Sequence, residues 1–231
     1  MTVHFKAALK GDIPSELSAD RPGETPARDA TFYTRIGKRA LDLVIVIAVL
    51  PIALALIAVS AIATARDGHN PFYWQKRLGR GGRAFWLLKI RTMVPDADAR
   101  LETYLTQNPD ARREWDYKQK LNNDPRITRL GHILRVSSID ELPQIWNVAR
   151  GDMSIVGPRP MTVAQRPLYP GQAYFTLRPG ITGNWQVSDR NDTGFADRAA
   201  YDERYAAAVS LATDFNILVR TLGVVLRCTG Q

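Results

Sequence analysis

The chain has 231 residues, a formal net charge of +8 and a pI of about 9.8. That length suits one globular domain plus an appendage, and the charge favours an anionic partner: acidic lipid, a phosphorylated substrate or nucleic acid. The single cysteine, Cys228, excludes an internal disulfide framework, which fits a reducing cytoplasmic setting, and His4, His69 and His132 lie apart without metal-ligand spacing.

Residues 1–30 are polar, with Pro14, Pro22, Pro26 and Gly23 scattered through them, and read as a disordered tail. From Leu43 to Ala65 there is no charged residue. A straight helix over that run is roughly 35 Å long, enough to cross a hydrocarbon core of about 30 Å. Pro51 lies near its middle and predicts a kink or break. Both flanks are basic, with Arg35, Lys38 and Arg39 before and Arg66, Lys76, Arg77, Arg80 and Arg83 after, so charge sets no orientation. A helix over 31–66 that bends at Pro51 and returns to the same face satisfies both flanks. The alternatives are a plain spanning anchor or a signal peptide, the latter starting unusually far from Met1.

The remainder, 67–231, reads as one domain. Phe72-Tyr73-Trp74-Gln75 and Ala84–Ile90 predict a hairpin around the turn Gly79-Arg80-Gly81-Gly82-Arg83, whose glycines lack P-loop spacing. Pro95 opens a charged helix that breaks at Asn108-Pro109, and a second runs from Asp110 to about Leu121. Ile127, Leu130, Ile133 and Leu134 mark a short helix leading to Arg135. After Pro160 the chain is loop-rich, a helix runs from Phe195 to about Ser210, and the last helix places Phe215, Leu218, Leu222 and Val225 in one stripe, with Asp214, Arg220 and Arg227 off it. That stripe suits either a core-packed helix or an amphipathic one lying on a membrane.

The centre of the chain is Ser137 to Pro160. Ile139, Leu142, Ile145, Trp146 and Ala149 fall at helical spacing, Gly151 ends that helix, and Met153–Val156 predicts a strand stopping at Gly157-Pro158-Arg159-Pro160. Ser138-x-x-Glu141 has the form of a capping box, in which the acids only stabilise a helix start. Pro143 conflicts with that reading, because it falls past the first turn of a helix capped by Ser138. The other reading gives Asp140 and Glu141 a chemical role.

Ser-Ile-Asp-Glu-Leu-Pro-Gln (138–144) with Gly-Asp-Met-Ser-Ile-Val-Gly-Pro-Arg-Pro (151–160) resembles the signature of the bacterial sugar transferases, the monotopic phosphoglycosyl transferases that start exopolysaccharide and O-antigen synthesis. Leu-Lys-Ile-Arg-Thr-Met (88–93) and Arg-Pro-Gly-Ile-Thr-Gly-Asn-Trp-Gln-Val (178–187) match as well, in the right order, and the resemblance runs from about Tyr33 to the C-terminus. It implies a small, mostly helical α+β domain with a re-entrant membrane helix and interfacial helices, on the cytoplasmic face of the bacterial inner membrane. It implies transfer of hexose 1-phosphate from a UDP-sugar to undecaprenyl phosphate, with Mg2+ and release of UMP. Asp140 would be the nucleophile, and Glu141 would hold the metal or assist; whether Asp140 also ligates it stays open. Arg159, Arg135 and Arg190 are the candidate phosphate or nucleotide cations, with Lys89 and Arg91 behind them. Where the family usually has Ser-Gly-Arg-Asn this chain has Ser188-Asp189-Arg190-Asn191, which leaves donor preference open. A membrane-tethered basic binding protein without chemistry is the rival, but it leaves Asp140-Glu141 and Pro158-Arg159-Pro160 unused. A multi-spanning transferase would need more than one apolar segment. No nucleic-acid partner is expected, and oligomeric state stays open.

Overall fold

The computed structural model describes residues 31–188 and 193–226. The tail expected over 1–30 and the candidate Arg190 lie outside them. A π-helical turn, Tyr33–Gly37, leads into α1 (Lys38–Ala65). The hairpin follows as β1 (Phe72–Leu78) and β2 (Ala84–Ile90), in antiparallel register from Phe72 opposite Ile90 to Leu78 opposite Ala84. Three helices come next: α2 (Ala97–Gln107), α3 (Pro109–Lys118) and α4 (Arg129–Val136). The central stretch forms a 3-10 turn (Ile139–Gln144), α5 (Ile145–Arg150) and β3 (Ser154–Val156). A second 3-10 turn (Val163–Leu168) and α6 (Ala173–Thr176) lead to β4 (Gly180–Thr182), which pairs in parallel with β3. The described chain ends with α7 (Arg198–Ala208) and α8 (Leu211–Leu226). The fold is therefore α+β and mostly helical, with two separate two-stranded sheets among the described residues.

The central stretch sits at the centre in space as well. The main core joins Val46 and Ala53 of α1, Leu87 of β2, Ile145 and Val148 of α5, Met153 to Val156 around β3, Tyr205 of α7 and Ile217 of α8. Asn147, buried in α5, accepts a hydrogen bond from the Leu88 N–H and donates to the Trp86 carbonyl, which fixes β2 against α5. Gly157 and Gly180 lie backbone to backbone where β3 meets β4, and a Cβ on either would collide with the other strand's main chain. A second cluster joins Tyr169, Tyr174, Phe175 and Phe195 with Leu78 and Met161, and the rings of Tyr169, Tyr174 and Phe175 meet edge to face. The charged section closes its own small core with Leu101, Leu105 and Leu121.

One expectation changes. Pro51 lies inside one continuous helix and does not end it. Its ring removes one bond to the Ile47 carbonyl, but Val46 and Ala53 on either side pack into the same core. The buried stripe of α1 (Asp42, Val46, Ala53, Ser60 and Thr64) runs its whole length, while Val44, Ile47, Ile52, Val59 and Ile62 face outward. Both ends are tied to the same domain. Arg39 donates to the carbonyls of Val148 and Ala149 at the end of α5, Asp42 accepts from Ser154 Oγ and Ile155 N, and the Thr64 carbonyl accepts from Arg91. Among the described residues α1, with the turn before it, is the one helix long and apolar enough to cross a membrane.

In α8, whose stripe suited either a core-packed or an interfacial helix, most of the apolar stripe faces outward. Phe215, Val219 and Leu222 point outward, and the packed face carries Asp214, Ile217 and Thr221, which meets Thr182 of β4 at 2.7 Å. Asp214 is 1 % exposed and takes Lys38 at 2.5 Å, Tyr33 at 2.5 Å and Tyr205 at 2.6 Å. This buried network fastens the base of α1 to α7 and α8. Asp214→Ala leaves a buried ammonium and two hydroxyls without their acceptor, so it is expected to cost roughly 3–5 kcal/mol, read as a lowered denaturant midpoint of the detergent-solubilised protein.

Candidate active site

The Asp140-Glu141 pair lies on the 3-10 turn, and its geometry explains Pro143. Ser138 adopts a left-handed φ of 57°, makes no side-chain cap, and lets the chain enter a 3-10 turn ahead of α5. Within so tight a turn Pro143 is tolerated, and α5 begins only after it. The capping box does not form: the Glu141 N–H donates to the Ser138 carbonyl. Gly151, at φ 89°, closes α5 as the sequence predicts.

Lys89, near the end of β2, reaches Glu141 Oε1 at 2.6 Å and Asp140 Oδ2 at 3.9 Å. Arg159, from the Pro-Arg-Pro turn, donates to the same Glu141 oxygen at 3.2 Å. Glu141 is thus clamped by two cations, while Asp140 is buried and accepts no hydrogen bond among the described residues. These surroundings separate the two acids. Burial pushes the Asp140 carboxyl up to about 6, against the pull of Lys89. Burial acts in the same direction on Glu141, but the charges of Lys89 and Arg159 outweigh it and hold that carboxyl down at about 2. The arrangement gives one firmly ionised, oriented carboxylate beside a second that is destabilised by burial and held only by the longer ion pair to Lys89, a setting that suits a nucleophile.

Arg135, at the end of α4, is anchored through Nε to Thr92 Oγ1 at 2.9 Å. Burial lowers its pKa, and the charge of Asp140 opposes that. Arg91 belongs elsewhere. Its guanidinium holds Asp67 at 2.7 Å and the carbonyls of Asn70 and Thr64, tying the end of α1 to the hairpin. The sequence reading missed Arg77. Its Nη1 donates to the Pro160 carbonyl at 2.7 Å while Gln75 holds the rest of the guanidinium, so it braces the turn that presents Arg159. Arg198 was missed too; it lies over the rings of Trp185 and Phe195 at 4.1 and 4.6 Å, its electrostatic neighbours including Arg159 and Arg77. A small cleft of about 20 Å3 opens here, lined by Arg77, Lys89, Glu141, Gln144, Arg159 and Gly180.

The excess of cations around the pair suits a substrate that brings several negative charges. No group of three or more His, Cys, Asp or Glu side chains gathers anywhere among the described residues. Two adjacent carboxylates are nevertheless what Mg2+ commonly takes from a protein when substrate phosphates complete its shell. Glu141 Oε2 and the Asp140 oxygens are the donors that fit.

The family described as bacterial sugar transferase matches residues 33–228. The chain is 46% identical over 203 residues to a UDP-galactose-lipid carrier transferase of Erwinia amylovora, an alignment covering 87% of this chain and 43% of that protein. It is 40% identical over 222 residues to the exopolysaccharide production protein ExoY of Rhizobium meliloti, covering 95% of this chain and 94% of that one. It is 42% identical over 199 residues to an undecaprenyl-phosphate galactose phosphotransferase of Salmonella typhimurium, covering 85% and 42%. The chain thus spans nearly the whole of one such relative and less than half of the other two. With the four motifs, the family match and the carboxylate pair in agreement, the chain belongs to the bacterial sugar transferase family.

Proposed function

We propose that this protein transfers a hexose 1-phosphate from a UDP-sugar to undecaprenyl phosphate, as the first step of a surface glycan. The observation that carries the reading is the buried Asp140, held only by the longer ion pair to Lys89, beside a Glu141 clamped by Lys89 and Arg159. An Asp140 oxygen attacks the phosphorus that bears the sugar. The bond from that phosphorus to the bridging oxygen breaks, and UMP leaves with the electron pair. An oxygen of the polyprenyl phosphate then attacks the same phosphorus and displaces the Asp140 carboxylate, leaving a polyprenyl diphosphate sugar. Splitting the transfer lets one small site serve two anionic substrates in turn. Lys89, Arg159 and Arg135 neutralise charge on the oxygens around the reacting phosphorus. Mg2+, held by Glu141 with or without Asp140, would supply further charge neutralisation.

The acceptor sets the location. Its phosphate lies at a bilayer surface, so the enzyme works at the cytoplasmic face of the inner membrane. Fastening of both ends of α1 to one domain supports entry and return on one face rather than a crossing. The outward apolar faces of α1 and α8, the latter with Phe215 65% exposed, supply the area that phospholipid covers.

The test is release of UMP by the solubilised protein with Mg2+ and undecaprenyl phosphate, across UDP-galactose, UDP-glucose and N-acetylated donors. Release that requires the lipid is the expected result and names the sugar. Silence across the whole panel, with folded protein, overturns the reading.

A further inference from the structure

The cleft between Glu141, Lys89 and Arg159 is too small for the whole donor. A cleft of about 20 Å3 accommodates little more than one water, whereas a nucleoside diphosphate sugar carries a base and a ribose that must rest elsewhere. A second, open cleft of about 360 Å3 lies between α2 and the loop before α4, within the size range of small-molecule sites. Arg100, Thr103, Tyr104, Gln107, Pro125 and Arg126 line it, and no acidic side chain does.

Its far wall is hydrogen-bonded to the segment that follows Lys89 in the chain. The Val94 N–H donates to the Arg126 carbonyl at 2.9 Å, the Thr128 N–H donates to the Thr92 carbonyl at 3.0 Å, and Met93 bridges Ile127. Thr92 is the residue whose hydroxyl holds Arg135. Lys89 lies three residues before Thr92, on the segment to which this wall is hydrogen-bonded. Tyr73 stands opposite Lys89 in the hairpin register and is 43% exposed. Burial raises its pKa and Asp98 adds to this, while the charges of Arg77 and Arg126 oppose it. The salt bridge of Arg126 to Asp124 at 2.5 Å, both side chains buried, keeps this wall rigid.

We infer that this cleft is the nucleoside subsite of the donor, taking uracil and ribose while the diphosphate reaches across Tyr73 to Lys89 and Arg159. The inference rests on the transferase reading above. Uracil offers a flat face, two carbonyl acceptors and one N–H. Tyr104 supplies a ring to stack on, the Gln107 amide and the Thr103 hydroxyl supply hydrogen-bond partners, and the exposed Arg100 supplies a cation for the ribose-phosphate edge.

The experiment is calorimetric titration of UMP, and separately of pyrophosphate, into the full chain in detergent, for wild type, for Arg100→Ala with Gln107→Ala, and for Tyr104→Leu. The double variant changes two exposed positions on α2, and Leu keeps the packing of Tyr104 against Leu101 and Leu105, so the fold is retained. The expected result is a rise of roughly tenfold in the Kd of UMP for each variant, a matching rise in KM for the UDP-sugar, and pyrophosphate affinity and KM for the lipid within twofold of wild type. Unchanged UMP affinity in both variants overturns the subsite, even if turnover proves the transferase. Loss of UMP affinity in an otherwise intact chain that shows no lipid-dependent turnover with any donor supports the subsite and rejects the transferase.

Discussion

Asp140→Asn is expected to lower lipid-dependent UMP release by roughly 10^4 or more while leaving the chain folded and able to bind its donor. Asparagine keeps the shape of the side chain but offers no anionic oxygen for attack at phosphorus. The fold survives because Asp140 accepts no hydrogen bond among the described residues, and Lys89 keeps its closer partner, Glu141 at 2.6 Å. Binding survives for the same reason and should tighten slightly, since one negative charge leaves a pocket built for an anion. The measurement pairs single-turnover UMP release with titration of UDP-sugar on the same preparation. Lost turnover with retained binding is the signature of a nucleophile. Joint loss of turnover, binding and thermal stability would instead make Asp140 a structural carboxylate, and turnover within tenfold of wild type would remove it from the chemistry. The same variant separates the enzyme from a basic tether, whose charge-driven lipid binding a neutral residue at 140 cannot abolish.

How much of this was legible in the sequence depends on which contacts local spacing controls. The Asp140-Glu141 pair, the Gly151 stop and the hairpin were legible because each is a property of a few adjacent residues. Pro143 signalled a departure from a regular helix, and the 3-10 turn with its left-handed Ser138 is that departure. Arg91 was named beside Lys89 as a further candidate cation. But β2 ends at Ile90, and Arg91 turns back to Asp67. Arg77 was invisible as a brace for the Arg159 turn because 83 residues separate it from Pro160. The role of Asp214 was hidden for a different reason. The apolar stripe of α8 suited either a core-packed or an interfacial helix, and spacing alone does not choose; here most of that stripe faces outward and the core face holds the carboxylate. Where an apolar stripe faces outward, the rule that such stripes face the core loses its sign, and only the long-range partners Lys38, Tyr33 and Tyr205 reveal which face is packed.

The second large effect concerns Lys89. Attack requires ionised Asp140, whose carboxyl lies near 6, while Glu141 near 2 stays ionised throughout the working range. In the wild type kcat/KM should therefore be level above about pH 7 and fall roughly tenfold per unit well below pH 6. Lys89 is the strongest influence opposing burial at Asp140. Opposite charge favours the ionised acid, so Lys89→Met removes that influence and raises the Asp140 pKa, moving the acid limb upward by about one unit or more. At pH 7 the variant combines weaker charge neutralisation with a smaller ionised fraction, and kcat/KM should fall by roughly 10^2 or more; raising the pH to 8.5 should recover part of that loss. Glu141→Gln should move the limb the other way, because it removes a like charge and frees Lys89 to turn fully to Asp140. Stability should follow linked signs. Ionisation of Asp140 costs the folded state as pH rises from its ordinary 3.8 through about 6, and Glu141 loses its stabilising ion pairs as pH falls from 4.5 through about 2. The two contributions oppose each other near pH 4, where acid sensitivity should be shallow. The deciding readout is the direction in which the limb moves. If the profile of Lys89→Met stays in place while its rate falls, Lys89 only positions substrate; if it moves upward, Lys89 is the group that keeps the nucleophile ionised at neutral pH.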